Sequence, residues 1–186
     1  MKEKNTLEEH FFEELKRELI NGPTKKRHPF RYFSLATIHK QTARQRTVVL
    51  RKTLQDTTLL IYTDARSQKI KDIKTNNNVS ALFYHPKKLI QVRVEGEAHI
   101  ITDQQEIRNY WNNISENSRK DYITSRHPGN QIANPENISY NEEKHHFCAI
   151  KIIPKQIEYL KLKRPNHIRI VFAKTETNWE GQFLVP

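Results

Sequence analysis

The residues best suited to chemistry lie in one stretch, Arg46 to Lys69, reading RTVVLRKTLQDTTLLIYTDARSQK. Arg46 and Arg51 bracket the apolar run Val48-Val49-Leu50, Tyr62-Thr63 closes a second apolar run, and Ser67-Gln68-Lys69 follows shortly after. Guanidinium groups, hydroxyls and an ammonium beside a helix N-terminus suit a phosphate. The cations supply charge, arginine supplies paired donors, and the first helical N–H groups have no partner within the helix. Singly, these residues have plainer roles: arginines end many strands and serine caps many helices. A phosphate site requires that they converge, which depends on the elements that carry them.

The stretch patterns as a strand over 46–52, a turn around Gln55-Asp56, a strand over 57–63 and a helix opening at Ser67, with Ile70 and Ile73 on its buried side. Upstream, residues 6–20 predict a helix. Thr6 and Glu9 make a capping box, Leu7, Phe11, Leu15 and Leu19 form one apolar stripe, and Asn21-Gly22-Pro23 is expected to end it. Phe30 to Ile38 alternates as a strand. Downstream come a strand over 79–84 and a long one over 89–101, with Gln91, Arg93, Glu95, Glu97 and His99 on its polar face and Gly96 at a bulge position.

Thr102, with Gln105 three residues on, predicts the cap of a helix carrying Ile107, Tyr110, Trp111 and Ile114. Residues 115–123 read as a short helix and 124–144 as a long loop. Strands over 146–153, 156–162, 167–173 and 179–185 complete the chain, the first two separated by Pro154. About eight or nine strands in meander-like runs predict a mainly β, antiparallel barrel with flanking helices. The expectation is a single domain spanning 1–186, with the N-terminal helical segment 1–22 packed on the barrel.

Composition narrows the partners. One cysteine, Cys148, allows no internal disulfide, and no Cys/His set has metal-ligand spacing, so no metal is expected. No apolar run is long enough to span a bilayer, and a cytoplasmic, membrane-free setting is expected. The formal net charge of +11 invites a nucleic-acid reading, but no basic helix or nucleic-acid motif accompanies it. A basic surface, or a phosphorylated small-molecule ligand, is the expected source of the charge, and nucleic-acid binding is not expected.

In order, the pieces SLATI, RTVVLR, YTD with SQK, QVRVEG, IEYL and IRIVF resemble the pyridoxamine 5′-phosphate oxidase superfamily, the FMN-binding split barrels. The resemblance runs from about Phe30 to Pro186 and is strongest from Leu35 to Gly96. It implies a split barrel of six or more antiparallel strands in Greek-key-like order, an FMN cofactor, and a homodimer with FMN at the subunit interface. It assigns Arg46 to the FMN phosphate, with Tyr62, Thr63, Ser67, Gln68 and Lys69 beside it. Val48, Val49, Leu50 and Arg51 would lie against the cofactor, Gln91 would hydrogen-bond the flavin ring, and Arg169 would bind FMN near the C-terminus.

The departures touch both the cofactor and the substrate positions, and weigh more on the substrate. Arg51 stands where the family usually has a substrate-touching lysine, and Gln68 stands where it has a cation. Leu160 replaces a flavin-lining tryptophan, and Ile114 replaces a substrate arginine. Of the oxidases' substrate contacts, Tyr110 and His167 are the positions that match. This pattern implies an FMN-dependent oxidoreductase related to the oxidases and acting on an unidentified small molecule. The alternatives are a non-catalytic FMN-binding stress or carrier protein, or a true pyridoxamine/pyridoxine 5′-phosphate oxidase. No catalytic side chain is assigned, because the flavin carries the redox chemistry.

Overall fold

The computed structural model describes residues 6–186. Helix α1 (Leu7–Thr24) opens with the expected capping box: Thr6 Oγ1 accepts from the Glu9 N–H at 3.2 Å, and the Glu9 carboxylate accepts from the Thr6 N–H at 2.8 Å. Its stripe buries Phe11, Leu15 and Leu19 in the main core. The helix does not stop at Asn21-Gly22-Pro23 as the sequence predicts; it runs through Pro23 to Thr24. Pro23 has no N–H to offer the Leu19 carbonyl four residues back. The Thr53 hydroxyl donates to that carbonyl instead, at 2.8 Å. Gly22 answers to packing rather than to termination, since a Cβ there would lie 2.8 Å from the Phe30 carbonyl oxygen.

Strands β1 (Tyr32–His39), β2 (Thr42–Thr53), β3 (Leu59–Asp64), β4 (Asn78–His85), β5 (Ile90–Ile100) and β6 (Phe147–Lys161) are antiparallel in the order β3-β2-β1-β4-β5-β6. β3 also pairs with β6, which closes a six-stranded barrel. Helix α2 (Gln68–Thr75) carries the chain from β3 across to β4, beside β1. β7 (Ile168–Lys174) and β8 (Trp179–Leu184) continue the sheet outward from β6.

Alternation with period two puts Phe33, Leu35, Ala81, Phe83, Val92, Val94, Ile157 and Tyr159 inside, all buried. Each fully buried aliphatic among them contributes about 1.5–3 kcal/mol. Tyr159 carries its hydroxyl into the core and donates it to the Glu14 carboxylate of α1 at 2.8 Å.

Where the sequence predicts two strands around Pro154, β6 is one strand of 15 residues. Pro154 stands opposite Gly96, where the β5–β6 register shifts. A bulge accepts a residue with no N–H, and Gly96 admits the Ile153 carbonyl oxygen, which would lie 2.1 Å from a Cβ.

A second, smaller core forms outside the β3–β6 wall. Leu60, Ile101, Ile114, Tyr122, Phe147 and Ala149 are buried there, with Tyr62, Ile107, Tyr110 and Trp111 packed on them. Helix α3 (Gln104–Asn112) and the short helix α4 (Glu116–Arg119) cover it. The cap of α3 is Asp103 rather than Thr102: its carboxylate accepts from the Glu106 N–H at 2.6 Å. Aspartate is at least as good a cap as threonine, so the helix starts one residue later than predicted.

Candidate functional site

The predicted phosphate residues meet where β2, β3 and α2 come together. β2 brings Arg46 opposite Leu35, so its side chain leaves from the inner face of the sheet. Its Nη1 donates to the Thr37 hydroxyl at 2.7 Å and to the Leu35 carbonyl at 3.2 Å. From α2, the Lys69 ammonium donates to the Thr63 hydroxyl at 2.8 Å and lies 3.4 Å from the Ser67 hydroxyl. Thr63 and Ser67 are buried and share a hydrogen bond of 3.2 Å. Burial, followed by the positive charge of Arg46, pulls the Lys69 ammonium below its ordinary pKa. Arg46 and Lys69 thus repel each other in a partly desolvated place; Asp72 beside Arg46 and the charge of Asp64 on Lys69 offset part of that cost, and a bound anion would offset more.

Ser67 occupies the N-cap of α2 but makes no side-chain cap bond; its hydroxyl turns to Thr63 and Lys69 instead. The helix N-terminus thus keeps its amide groups uncapped by a side chain, beside the two cations. This set fits a phosphate monoester.

Gln68 does not face the cations. Its amide donates to Asp72, one turn on, at 3.0 Å. Asp72 is buried, and its part in this cluster does not show in the residue pattern alone. It also accepts from Thr37 at 2.9 Å, lies 3.1 Å from His39 Nδ1, and stands 3.6 Å from the Arg46 guanidinium. Burial pushes the Asp72 carboxyl up, but hydrogen bonds from Gln68, Thr37 and His39 outweigh it and hold the group below its ordinary pKa. The available signal was an acidic residue inside the otherwise basic helix QKIKDIKT, next to the core position Ile73.

Beside this cradle, β2 pairs with β3 only from Leu50 to Thr53, so the 46–49 stretch is hydrogen-bonded to β1 along one edge alone. Val48 and Leu50 point into the core, and Val49, opposite the exposed Tyr32, points outward. The open edge supplies backbone donors and acceptors of the kind a flavin ring uses. Arg51 falls at the β2 register shift between Leu50 and Lys52. Its guanidinium lies 5.5 Å from the Tyr62 ring centroid and 3.5 Å from the Tyr122 hydroxyl, with Nε buried and unpartnered.

Around Arg51 the surface is aromatic. Tyr62 packs on Tyr110 and Phe147 with centroids 5.6 and 4.9 Å away, and Trp111 stacks on His145 at 4.2 Å. Burial pushes Tyr62 up to about 12. Tyr110 is raised further, by burial and by its hydrogen bond to Glu106. That bond, 2.7 Å long, turns the Tyr110 hydroxyl back onto its own helix. Cys148, opposite Thr63, is pushed up to about 11 by burial and is no nucleophile at neutral pH.

The remaining predicted residues lie elsewhere. Gln91, Leu160 and Arg169 form one cross-strand row over β5, β6 and β7. Gln91 alternates with the buried Ile90 and Val92, so it faces outward, on the opposite side of the wall from Arg46. Arg169 donates to the buried Glu158 at 2.8 Å, and Arg93 donates to the same oxygen at 3.1 Å. His167 is exposed and accepts from the Lys163 N–H at 3.1 Å. One chain therefore brings Arg46, Thr63, Ser67 and Lys69 together, but not Gln91, Arg169 or His167.

Arg66, just outside the predicted set, pairs with Asp64 at 2.7 Å and donates to the Thr124 carbonyl at 2.8 Å, tying the start of the 124–144 loop to the β3–α2 turn. A further cluster joins Glu18, His28 and His85, whose ligand-type atoms lie within 4.8 Å of one another. Both imidazole Nδ1 atoms accept backbone N–H groups, at 3.2 and 3.3 Å. Each Nε2 therefore carries the proton and faces Glu18, which also pairs with Lys88. With Nε2 protonated, neither imidazole turns a lone pair toward Glu18, the reverse of the tautomer a metal ligand there would need.

The closed six-stranded antiparallel barrel with flanking helices is the architecture of the FMN-binding split barrels. A family model described as pyridoxamine 5′-phosphate oxidase, FMN-binding domain, matches residues 7–102, more than half of the chain, and the protein belongs to this FMN-binding family. The pyridoxine/pyridoxamine 5′-phosphate oxidase of Leptospira interrogans is 25% identical over 179 residues, covering 82% of this chain and 78% of the relative. That of Pseudoalteromonas atlantica is 26% identical over 170 residues, with the same coverage of 82% and 78%.

Among solved structures, a pyridoxamine 5′-phosphate oxidase-related, FMN-binding protein from Nostoc punctiforme shares the fold, with a TM-score of 0.78 and 21% identity over 94% of this chain and 97% of that one. PhzG from Burkholderia lata, solved in complex with tetrahydrophenazine-1-carboxylic acid, follows with a TM-score of 0.70 and 14% identity over 95% and 89%. Among the described residues, no helix is long and apolar enough to cross a membrane.

Proposed function

We propose that this protein is an FMN-dependent oxidoreductase that acts on a small molecule other than a vitamin B6 phosphate ester. The carrying observation is the meeting of Arg46, Lys69, Thr63 and Ser67 at the uncapped N-terminus of α2, beside the open edge of β2. Arg46 and Lys69 would hold the FMN phosphate, and the backbone of 46–49 would orient the ring. Bound FMN supplies the electron transfer, and the protein supplies binding, orientation and electrostatics. The substrate reading rests on Ile114, which stands where the oxidases have an arginine and is buried in the second core with Tyr122. A phosphate ester seated there would find an aliphatic wall instead of a cation.

The site is completed in this reading by a second copy of the chain. Gln91 and Arg169 face outward beside the exposed Tyr32, Leu82 and Tyr84. Tyr84 is directly opposite Gln91 and Leu82 opposite Arg93. A homodimer packed on this face would carry one subunit's Gln91 and Arg169 toward its partner's cradle. Light scattering should give twice the chain mass, and Tyr84→Glu should shift it toward the monomer. A wild-type monomer that binds FMN tightly would contradict the dimeric site.

For the oxidoreductase itself, FMN-loaded protein should show flavin bleaching under anaerobic conditions when a substrate from an amine, alcohol and dihydro-aromatic panel is added, and recovery when air is admitted. Firm FMN binding with no bleaching by the panel, NADH or NADPH would favour a non-catalytic FMN carrier. The closed aromatic packing around Arg51 favours that second reading.

A further inference from the structure

We infer that Asp72 is a positioning residue for the cofactor, acting through Thr37 to aim Arg46 at the FMN phosphate. The inference rests on that phosphate lying at Arg46. Asp72 sits on the buried side of α2 with Ile70 and Ile73, and its side chain has no exposure. Packing alone would place an aliphatic residue there, because a buried carboxylate costs several kcal/mol unless it is fully compensated.

The compensation is specific. Oδ2 accepts from Thr37 at 2.9 Å and stands 3.6 Å from Arg46 Nη2, while Oδ1 accepts from Gln68 at 3.0 Å and lies 3.1 Å from His39 Nδ1. β1, β2 and α2 are thereby joined at one group. The direction of the relay follows from the donors. A guanidinium only donates, so Thr37 Oγ1 accepts from Arg46 at 2.7 Å, and its single proton is left for Asp72. Arg46 makes both of its hydrogen bonds through Nη1, on the β1 side, and turns Nη2 toward Asp72.

The same geometry accounts for Gln68. A cation at that position would compete with Arg46 for Asp72, whereas a neutral amide satisfies Oδ1 and leaves the charge of Asp72 to Arg46. Outer partners that orient a binding group typically change affinity by 10–100-fold when removed.

The experiment is a double-mutant cycle on the full chain, read by flavin fluorescence titration with FMN and with riboflavin, which lacks the phosphate. Asp72→Asn should weaken FMN about tenfold and leave riboflavin unchanged, since only the phosphate contact depends on Arg46. Thr37→Val, nearly isosteric and without the hydroxyl, should do the same, and Thr37→Ser should restore FMN binding. Adding Asp72→Asn to Arg46→Ala should cost nothing further. FMN binding by Asp72→Asn as tight as wild type or tighter, equal losses for both ligands, or additive losses in the double variant would each overturn the role. If Asp72→Asn does not fold, the Thr37 pair decides alone. If Arg46→Ala itself leaves FMN affinity unchanged, the phosphate assignment falls together with this inference. If Arg46→Ala weakens FMN and Asp72→Asn does not, only this inference falls.

Discussion

The two ends of the β2 stretch, Arg46 and Arg51, are both arginines at strand positions, yet the structure treats them differently. Arg46 sits among polar partners: Thr37 and the Leu35 carbonyl hold it, Asp72 faces it, and Lys69 lies close by. Arg51 lies over the Tyr62 ring, against the Tyr122 hydroxyl, at the margin of a packed aromatic core. The first region resembles a place prepared for an anion, with charge gathered and a helix N-terminus left open. The second is a packed core in which Ile114 and Tyr122 are buried. The chain thus gathers cations and hydroxyls at one end of the stretch and packs Tyr110, Ile114 and Tyr122 into a small core at the other.

That contrast can be broken at several points. Tyr122→Ala should have the largest effect on stability, about 3–5 kcal/mol, because it opens a cavity in the second core. The phosphate cradle should be untouched, so a thermal melt should fall well below wild type while the remaining folded protein binds FMN normally. Arg46→Ala should reverse the pattern, weakening FMN by about 1.5–3 kcal/mol, the scale of a charge-assisted hydrogen bond, with a small change in melting temperature. A large stability loss in Arg46→Ala, or a large affinity loss in Tyr122→Ala, would erase the distinction between the two regions.

Stability against pH separates the ends by sign. The folded-state pKa of Asp72 is depressed below 3.8, so its contribution is present above that value and is lost as pH falls through the folded pKa. Tyr62 runs the other way. Its pKa is raised from 10.0 to about 12, so its contribution is present below pH 10 and is lost as pH rises toward 12. Tyr62→Phe should reduce the alkaline loss by up to about 3 kcal/mol, leaving the share that Tyr110, Tyr122 and Tyr159 contribute. Denaturant melts at pH 3 to 5 and at pH 9 to 12 would measure both limbs. The smallest change is expected from Gln68→Ala, which removes one neutral hydrogen bond to Asp72 and should cost less than about 1 kcal/mol of stability.

Much of this arrangement was legible in the chain. Period-two patterns located the barrel strands, and the capping box located the start of α1, because burial on one face constrains residue type strongly. Arg46, Thr63, Ser67 and Lys69 were legible as a set, because their types suit a phosphate and they are close in sequence.

Asp72, Thr37 and His39 were not read as a group. Their link spans 33 to 35 residues, and each has an ordinary role on its own element. Pro154 and Pro23 misled for a shared reason. Proline usually ends an element, and the partners that accommodate it here, Gly96 opposite one and Thr53 beside the other, are distant in sequence. Arg169 was read toward a flavin, and within one chain it is bound to Glu158.

The central claim is that the cations at the start of α2 and on β2 recognise a phosphate. It is tested most directly by the ratio of FMN to riboflavin affinity in wild type, Arg46→Ala and Lys69→Ala, measured by fluorescence titration at constant salt. The account predicts that wild type prefers FMN, that each variant loses about tenfold or more of that preference, and that riboflavin affinity stays constant in all three. An unchanged FMN-to-riboflavin ratio in both variants would contradict it.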